Sequence, residues 1–422
     1  MKAAHRSIPA ACAFALAAWS APAHADPACA TARRETVVAC ALAASPFVRA
    51  EGHAVEAAEG HVRSTAPWFP SPAVASVALA RRAGSEGRTD ALNYYATLTQ
   101  EIEVSGRRAS MRREAEAERG ARQADVTVAR RRVAAEAYAA YFAALAARDA
   151  AEVARRLEAI GATIAKVTRA RADAGVGAEL DAELAEAASL RLAQASISAQ
   201  RDEAAARARL AVITTGDPSR SVAISGDLRP LAVSRGEARP PDARPEVQAL
   251  RREERAMSMR AEAFRRARVP NPSVQVFVQN DGFNEPVLGA GVTFPVPLPQ
   301  PVGRLYAGEI DEAEALSRRS SAQAAHVTRD LLEELALAEA DLAARGREAG
   351  LYTEARVARA EAMLAALATE IEAGRMSVRD ALVAEREIID VVRARIETRR
   401  ALCASSVRYA LAAGVPLEQG VK

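Results

Sequence analysis

The sequence predicts a mainly α-helical protein with a small antiparallel β part, in which one half of the chain repeats the other. Three observations carry this. Half of the 422 residues are hydrophobic by type while only 4% are aromatic, and much of the apolar share is alanine, which favours helix and buries little surface per residue. Long helices packed closely side by side suit that composition better than a thick globular core. Two stretches match at a period of about 200 residues, too long for a solenoid and right for a duplicated half. Each half also carries apolar residues at a period of two, the strand signature.

Residues 1–25 read as an export signal: Lys2 and Arg6 are basic, Ile8–Trp19 is apolar, and Ala23-His24-Ala25 is a small-x-small cleavage site. The apolar run is below the ~18–20 residues that span a bilayer, so cleavage after Ala25 is expected, not an anchor. Neither Cys12 nor Cys29 has the Leu and small residues of an acylation site, so a plain cleaved N-terminus is expected ahead of a lipidated one. Removing Lys2 and Arg6 brings the formal net charge of +3 close to neutrality.

In the first half (26–213), Pro46 aligns with Pro245 of the second, and Pro70-Ser71-Pro72 aligns with Pro270-Asn271-Pro272. A helix of about twenty residues precedes each proline pair, and two strand-like runs follow. In the second half, Val274, Val276 and Val278 alternate with polar neighbours, as do Leu288, Ala290, Val292, Phe294 and Val296 with theirs. In the first, Tyr94, Ala96, Leu98, Ile102 and Val104 alternate, while Ala73–Ala80 is apolar with weaker alternation. Hairpins are therefore expected over 73–104 and 273–297, with turn-rich loops at 83–90 and 280–286. Runs of ~8–11 residues suit tilted membrane strands.

A long helical stretch comes next in each half, Gly106–Asp173 and Gly303–Glu372. Tyr138, Tyr141, Phe142 and Leu145 fall on one helix face. Each stretch breaks at Ala-Gly and returns as a second helix, 178–213 and 377–413. Ala174-Gly175 with Asp181 matches Ala373-Gly374 with Asp380. Ser377 with Asp380 is an acidic variant of the capping box. Residues 214–244, rich in Pro and Gly, connect the halves, the second half runs over 245–415, and 416–422 form a tail. Four amphipathic strands cannot close a barrel alone, and eight is the usual minimum, so several chains must pool theirs; three give twelve.

Other function classes find little support. The charge signs nearly cancel, which speaks against nucleic acid. No nucleophile–base motif or phosphate loop is present, so no enzyme activity is expected. The histidines past the signal, His53, His61 and His326, are scattered, and neither a metal site nor any other cofactor is expected. Cys29 and Cys40 could close a short loop in an oxidising compartment, leaving Cys403 as a buried helix residue. The arginines at 107, 108, 112, 113 and 130–132 alternate with Glu114, Glu116 and Glu118 and read as a solvated, paired helix face.

The order helix, P-x-P, strand hairpin, long helix, A-G turn and returning helix, all duplicated, resembles the TolC-like outer-membrane efflux factors. LTQEIEVSGRR (98–108) and FPVPLPQPVGRLYAGEIDEAEA (294–315) look like the family's two passages from strand into long helix. The former is most similar to the cobalt-zinc-cadmium-type branch that serves heavy-metal pumps. The resemblance spans residues 33–415. It implies a homotrimer whose twelve-stranded barrel in outer-membrane lipid continues as an α-helical barrel through the periplasm. It also implies a periplasmic adaptor (a membrane fusion protein) and an inner-membrane pump of the resistance-nodulation-division class. The duct would be passive, with the substrate, heavy-metal cations included, chosen by the pump. A duct for drug efflux or type I secretion, or a periplasmic helical scaffold, are the alternatives. By resemblance, the candidate gate residues at the tip are Asp181, Asp380, Arg375 and Arg379. The candidate adaptor-contact turns are Gly175, Val176 and Gly177 with Gly374, Met376 and Ser377. The sequence departs from the family where a gating arginine falls on Met376, beside Arg375, and where an aspartate falls on Val383.

Overall fold

The computed structural model describes residues 29–82, 91–233, 238–280, 285–298 and 305–419. The expected signal and the loop residues 83–90 and 281–284 lie outside the described residues, as do 299–304 and 420–422.

The chain runs β1 (Thr31–Ala32), α1 (Val37–Ala44), α2 (Pro46–Ser64), β2 (Val74–Arg82), β3 (Ala91–Glu101), α3 (Arg107–Asp173), α4 (Glu179–Thr215) and β4 (Ala223–Ile224). The second half follows with α5 (Pro245–Arg266), β5 (Ser273–Asn280), β6 (Pro286–Thr293), α6 (Ala307–Leu351), α7 (Glu354–Glu372) and α8 (Val378–Ala413). Pro46 and Pro245 each stand at the first helical position, where the missing N–H costs nothing. Ser45 caps α2, its Oγ accepting from Val48 N at 3.3 Å. At 67 residues, α3 reaches about 100 Å.

The two hairpins join in one antiparallel sheet of order β2-β3-β5-β6. Strand ends differ from the alternation read in the sequence. β3 stops at Glu101 and β6 at Thr293, so Val104, Phe294 and Val296 lie beyond the ladder. Pro295 and Pro297 cannot donate to a ladder, which ends β6. In the first half, Ile102 N still bonds Pro272 O at 2.9 Å before the chain turns into α3.

A second difference separates the halves. The stretch expected as one helix over 303–372 breaks between α6 and α7, at Tyr352–Thr353, where Tyr352 leaves the helical region (φ −103°, ψ 66°). Gly346 and Gly350 in the preceding turns weaken α6 there. Residues 350–353 align with Ala151–Ala154 of α3, which pass without interruption.

The main core sits midway along α3. Tyr138, Tyr141, Phe142 and Leu145 are wholly buried against α1, the end of α8 (Val407, Tyr409, Ala410) and connector residues Leu228 and Leu231. Alanines 134, 137 and 144, fully buried on the same helix, let these neighbours approach closely. Tyr141 Oη donates to Ser225 O at 2.8 Å, satisfying the one polar atom of that cluster's central ring. Gly226, at φ +123°, is required beside it, since a Cβ there would lie 2.2 Å from Tyr141 Oη. The disulfide Cys29–Cys40 (Cα–Cα 5.8 Å) ties β1 to α1 at the edge of this core, and β1 pairs in parallel with β4. A second core, toward the helix tips, joins Ile164, Leu192, Leu364, Ile371, Val378 and Ile389 from α3, α4, α7 and α8.

Candidate functional site

Two regions are candidates for the functional geometry: the sheet and the far tips of the helical hairpins. In an antiparallel sheet, residues paired across strands share a face. One face therefore carries the rows Leu79–Tyr94, Val77–Ala96–Val278–Leu288 and Ala75–Leu98–Val276–Ala290, with Val274–Val292 at the helix-side end. The other carries Ser76–Thr97–Phe277–Gly289, Val74–Thr99–Gln275–Gly291 and Glu101–Ser273–Thr293. The first face is apolar in its middle rows, with Arg81, Gln100 and Asn280 at its ends, and none of the described residues covers those rows: Val77 is 74% exposed, Leu79 69% and Leu288 83%. The second is dominated by hydroxyl and amide side chains. The Phe277 ring lies over Gly289, where a Cβ would meet Phe277 Cζ at 2.2 Å. Both outer strands, β2 and β6, keep one unpaired edge. A sheet with one largely apolar face, one polar face and two open edges is able to pair with further strands on both sides.

The two tips are built alike. Gly175 and Gly374 take positive φ (73° and 70°), the left-handed turn that ends a helix and frees the chain to reverse. In the first tip, Val176 N and Gly177 N donate to Arg171 O at 2.9 and 3.0 Å. In the second, Arg375 N and Met376 N donate to Glu370 O at 3.0 and 3.3 Å. Starting the return helix, Ser377 Oγ accepts from Asp380 N at 3.2 Å and donates to Asp380 Oδ2 at 2.6 Å. Ala178 stands in the equivalent place in the first tip, without a side-chain cap, and Asp181 N bonds Ala178 O at 3.1 Å instead. Asp181 is half-buried and Asp380 exposed; Arg379 is exposed beside it. Val176 is 71% exposed at the turn, whereas Met376 packs toward the second core.

Charge pairing differs between the tips. Arg375 grips Glu370 with both prongs, Nε–Oε2 2.7 Å and Nη2–Oε1 2.6 Å, so this guanidinium closes its own hairpin. The bond holds the Glu370 carboxyl below, and the Arg375 guanidinium above, its ordinary value. In the first tip, Arg169 gathers Glu179, Glu183 and Glu186. Arg171 links the two tips, donating through Nη1 to the carbonyls of Ile371 and Glu372 at the end of α7. Sequence reading selected Arg375 and passed over Arg171 and Arg169. Their only signal was position in the last turn before Gly175, where a cation meets free carbonyls.

Among the described residues, no group of three or more His, Cys, Asp or Glu is placed to hold a metal ion. No described helix is long and apolar enough to cross a membrane.

Residues 37–216 match the sequence model of the family described as Outer membrane efflux protein. Among solved structures, the outer membrane protein VceC of Vibrio cholerae is similar at 19% identity and a TM-score of 0.74, over 90% of this chain and 96% of that one. A membrane protein from Pseudomonas aeruginosa is also similar, at 19% identity and a TM-score of 0.76, over 90% and 92%. So is CusC, at 14% identity and a TM-score of 0.73, again over 90% and 92%. At these identities the likeness establishes the fold. No curated protein matches by sequence. Family pattern over residues 37–216, which is less than half of the chain, and fold over nine-tenths of it point the same way: the chain is similar to outer membrane efflux proteins.

Proposed function

We propose that the chain is the outer-membrane duct of a tripartite export system, working as a homotrimer with a periplasmic adaptor and an inner-membrane pump. The observation that carries this reading is the sheet, with its uncovered apolar face, its polar face and its two open edges. Edge pairing between copies removes the unpaired backbone groups that lipid does not tolerate, and three copies give twelve strands. The Thr and Gln face then lines the lumen while Val77, Leu79 and Leu288 meet lipid. A periplasmic scaffold leaves that apolar face and both edges without a partner.

The helical hairpins continue the duct into the periplasm. Their tips form the closed end, and the turns at 175–177 and 374–377 are the adaptor's contact. Asp181, Asp380, Arg375 and Arg379 ring the entrance. Opening separates the hairpins at the tip, and transport energy comes from the pump. The likeness to CusC supports the heavy-metal branch no more strongly than that to VceC supports another substrate class.

Membrane fractionation tests the reading. A heat-modifiable trimer recovered with the outer membrane is expected, and recovery only as a soluble periplasmic species would overturn it.

A further inference from the structure

The helix-side end of the sheet holds a cavity of about 820 Å³ between the loop after α2, the end of β3 and the start of α3. Its wall is partly aromatic. Trp68 is 88% exposed and Phe69 56%, on a segment stiffened by Pro67, Pro70 and Pro72. This loop is held in place: Arg108 donates to the carbonyls of Thr65, Ala66 and Trp68, and Gln100 Nε2 donates to Ser71 O at 3.0 Å. An aromatic pair this exposed, fixed where an uncovered apolar sheet face ends, belongs at a lipid–water boundary.

The charges of the cavity point to one kind of lipid. Arg108 is committed to the loop. Arg107 also lines the cavity, and its Nε is enclosed without a hydrogen-bond partner among the described residues. Two carboxylates share the same wall. Glu101 accepts from Ser71 Oγ (3.1 Å) and Asn271 Nδ2 (2.8 Å), and Glu103 accepts from Arg108 N (2.6 Å). Each carboxylate keeps acceptor positions beyond those bonds. One uncommitted guanidinium beside two fixed carboxylates suits a ligand that carries a phosphate and an ammonium a few bonds apart. A purely anionic headgroup would meet Arg107 but bring its remaining charge up to Glu101 and Glu103.

We propose that this cavity binds the headgroup of a zwitterionic, amine-bearing glycerophospholipid: phosphate on Arg107, ammonium toward Glu101 and Glu103, acyl chains running past Trp68 and Phe69 onto the apolar sheet face. The proposal rests on the outer-membrane reading above. It gives the barrel a fixed depth and a preferred lipid at its periplasmic rim.

Native mass spectrometry of the detergent-purified protein tests it, with phosphatidylethanolamine and phosphatidylglycerol added in competition. Preferential retention of the ethanolamine lipid is expected, reduced at least five-fold in Arg107→Ala and partly kept in Arg107→Lys. Trp68 is the only tryptophan beyond the amino-terminal segment that holds Trp19. Its fluorescence in vesicles should therefore be quenched by brominated ethanolamine lipid in the wild type. Equal retention of the two lipids by the wild type, or undiminished retention by a heat-modifiable Arg107→Ala trimer, overturns the proposal. The wild-type competition decides the matter even if the variant fails to fold. Protein that inserts into vesicles without lipid preference sinks the headgroup site alone, whereas protein that does not enter vesicles sinks the channel reading with it.

Discussion

Arg171, in the last turn of α3, reaches across to the backbone carbonyl of Ile371 at the end of α7, 200 positions later in the chain. The bond joins the first-half tip to the second-half tip, and a further contact to Glu372 O at 3.1 Å strengthens it. Arg171 thereby satisfies carbonyls that the C-terminus of α7 cannot pair within its own helix. A charged donor lost from such a place costs about 1–3 kcal/mol. Arg171→Ala should loosen the tips and raise single-channel conductance in planar bilayers, with Arg171→Lys intermediate. Wild-type conductance in Arg171→Ala would mean that the latch does not hold the tip closed.

Asp181 and Asp380 occupy equivalent places in the two halves but are held differently, Asp380 by Ser377 and Asp181 without that cap. If both line the closed entrance, the double Asp→Ala variant conducts more than wild type and loses part of its cation preference. Ser377→Ala separates gating from capping. It should cost about 1 kcal/mol at the start of α8, visible as faster amide exchange there, while leaving both carboxylates present.

Arg131 and Arg244, each only 3% exposed at its side chain, converge on the end of α8. Arg131 donates to Leu411 O, and Arg244 to Leu411 O and Ala412 O. They share one carboxylate, Glu246, at 2.9 and 3.5 Å. Burial pulls Arg131 below the usual guanidinium value, and Glu246 opposes that. Glu246→Ala leaves two buried cations without their counter-ion and should cost about 3–5 kcal/mol. Thermal unfolding measures it, and Glu246→Gln should recover only part.

Glu385 sits 5% exposed on α8, and burial raises its carboxyl above the ordinary value of 4.5, with Arg191 and Arg386 opposing. A group with a raised folded pKa stabilises most below its unfolded pKa, and that contribution is lost as pH rises through the folded value. Glu385→Gln should therefore stabilise the protein at neutral pH, and the gain should shrink as pH falls toward 4.5. A pH-independent difference would refute this assignment.

The disulfide closes a loop between Cys29 and Cys40, 11 positions apart, and its removal should cost roughly 2–3 kcal/mol. Cys403 is buried, and burial pushes its thiol up to about 12. The folded protein should therefore take up no maleimide, one equivalent when unfolded, and three when unfolded and reduced, counted by intact mass after cleavage of the signal.

Much of this was legible in the sequence because it depends on local spacing. Period-two valines marked β5, the run from Tyr138 to Leu145 marked a buried helix face, and Gly175 and Gly374 marked both tips. The break at Tyr352 was not legible, since Gly346 and Gly350 sit in an otherwise helical pattern and Gly161 passes through α3 without interrupting it. Arg171 was missed for a related reason. Its partner is a backbone carbonyl on another helix, and carbonyls leave no residue-type signal.

By itself, the sequence determined the duplicated order of elements and which residues of each strand share a face, because both follow from periodicity along the chain. Only the tertiary structure decided that the two hairpins form one sheet, with β3 against β5, so that four short alternations become one apolar surface. It alone also decided which arginines are solvated and which are committed. Arg375 turns inward to Glu370, while Arg131, Arg171 and Arg244 reach helix ends distant in sequence. The physical reason is that a guanidinium's role depends on which free carbonyl or carboxylate folding brings within about 3 Å, and that distance is set by packing between helices.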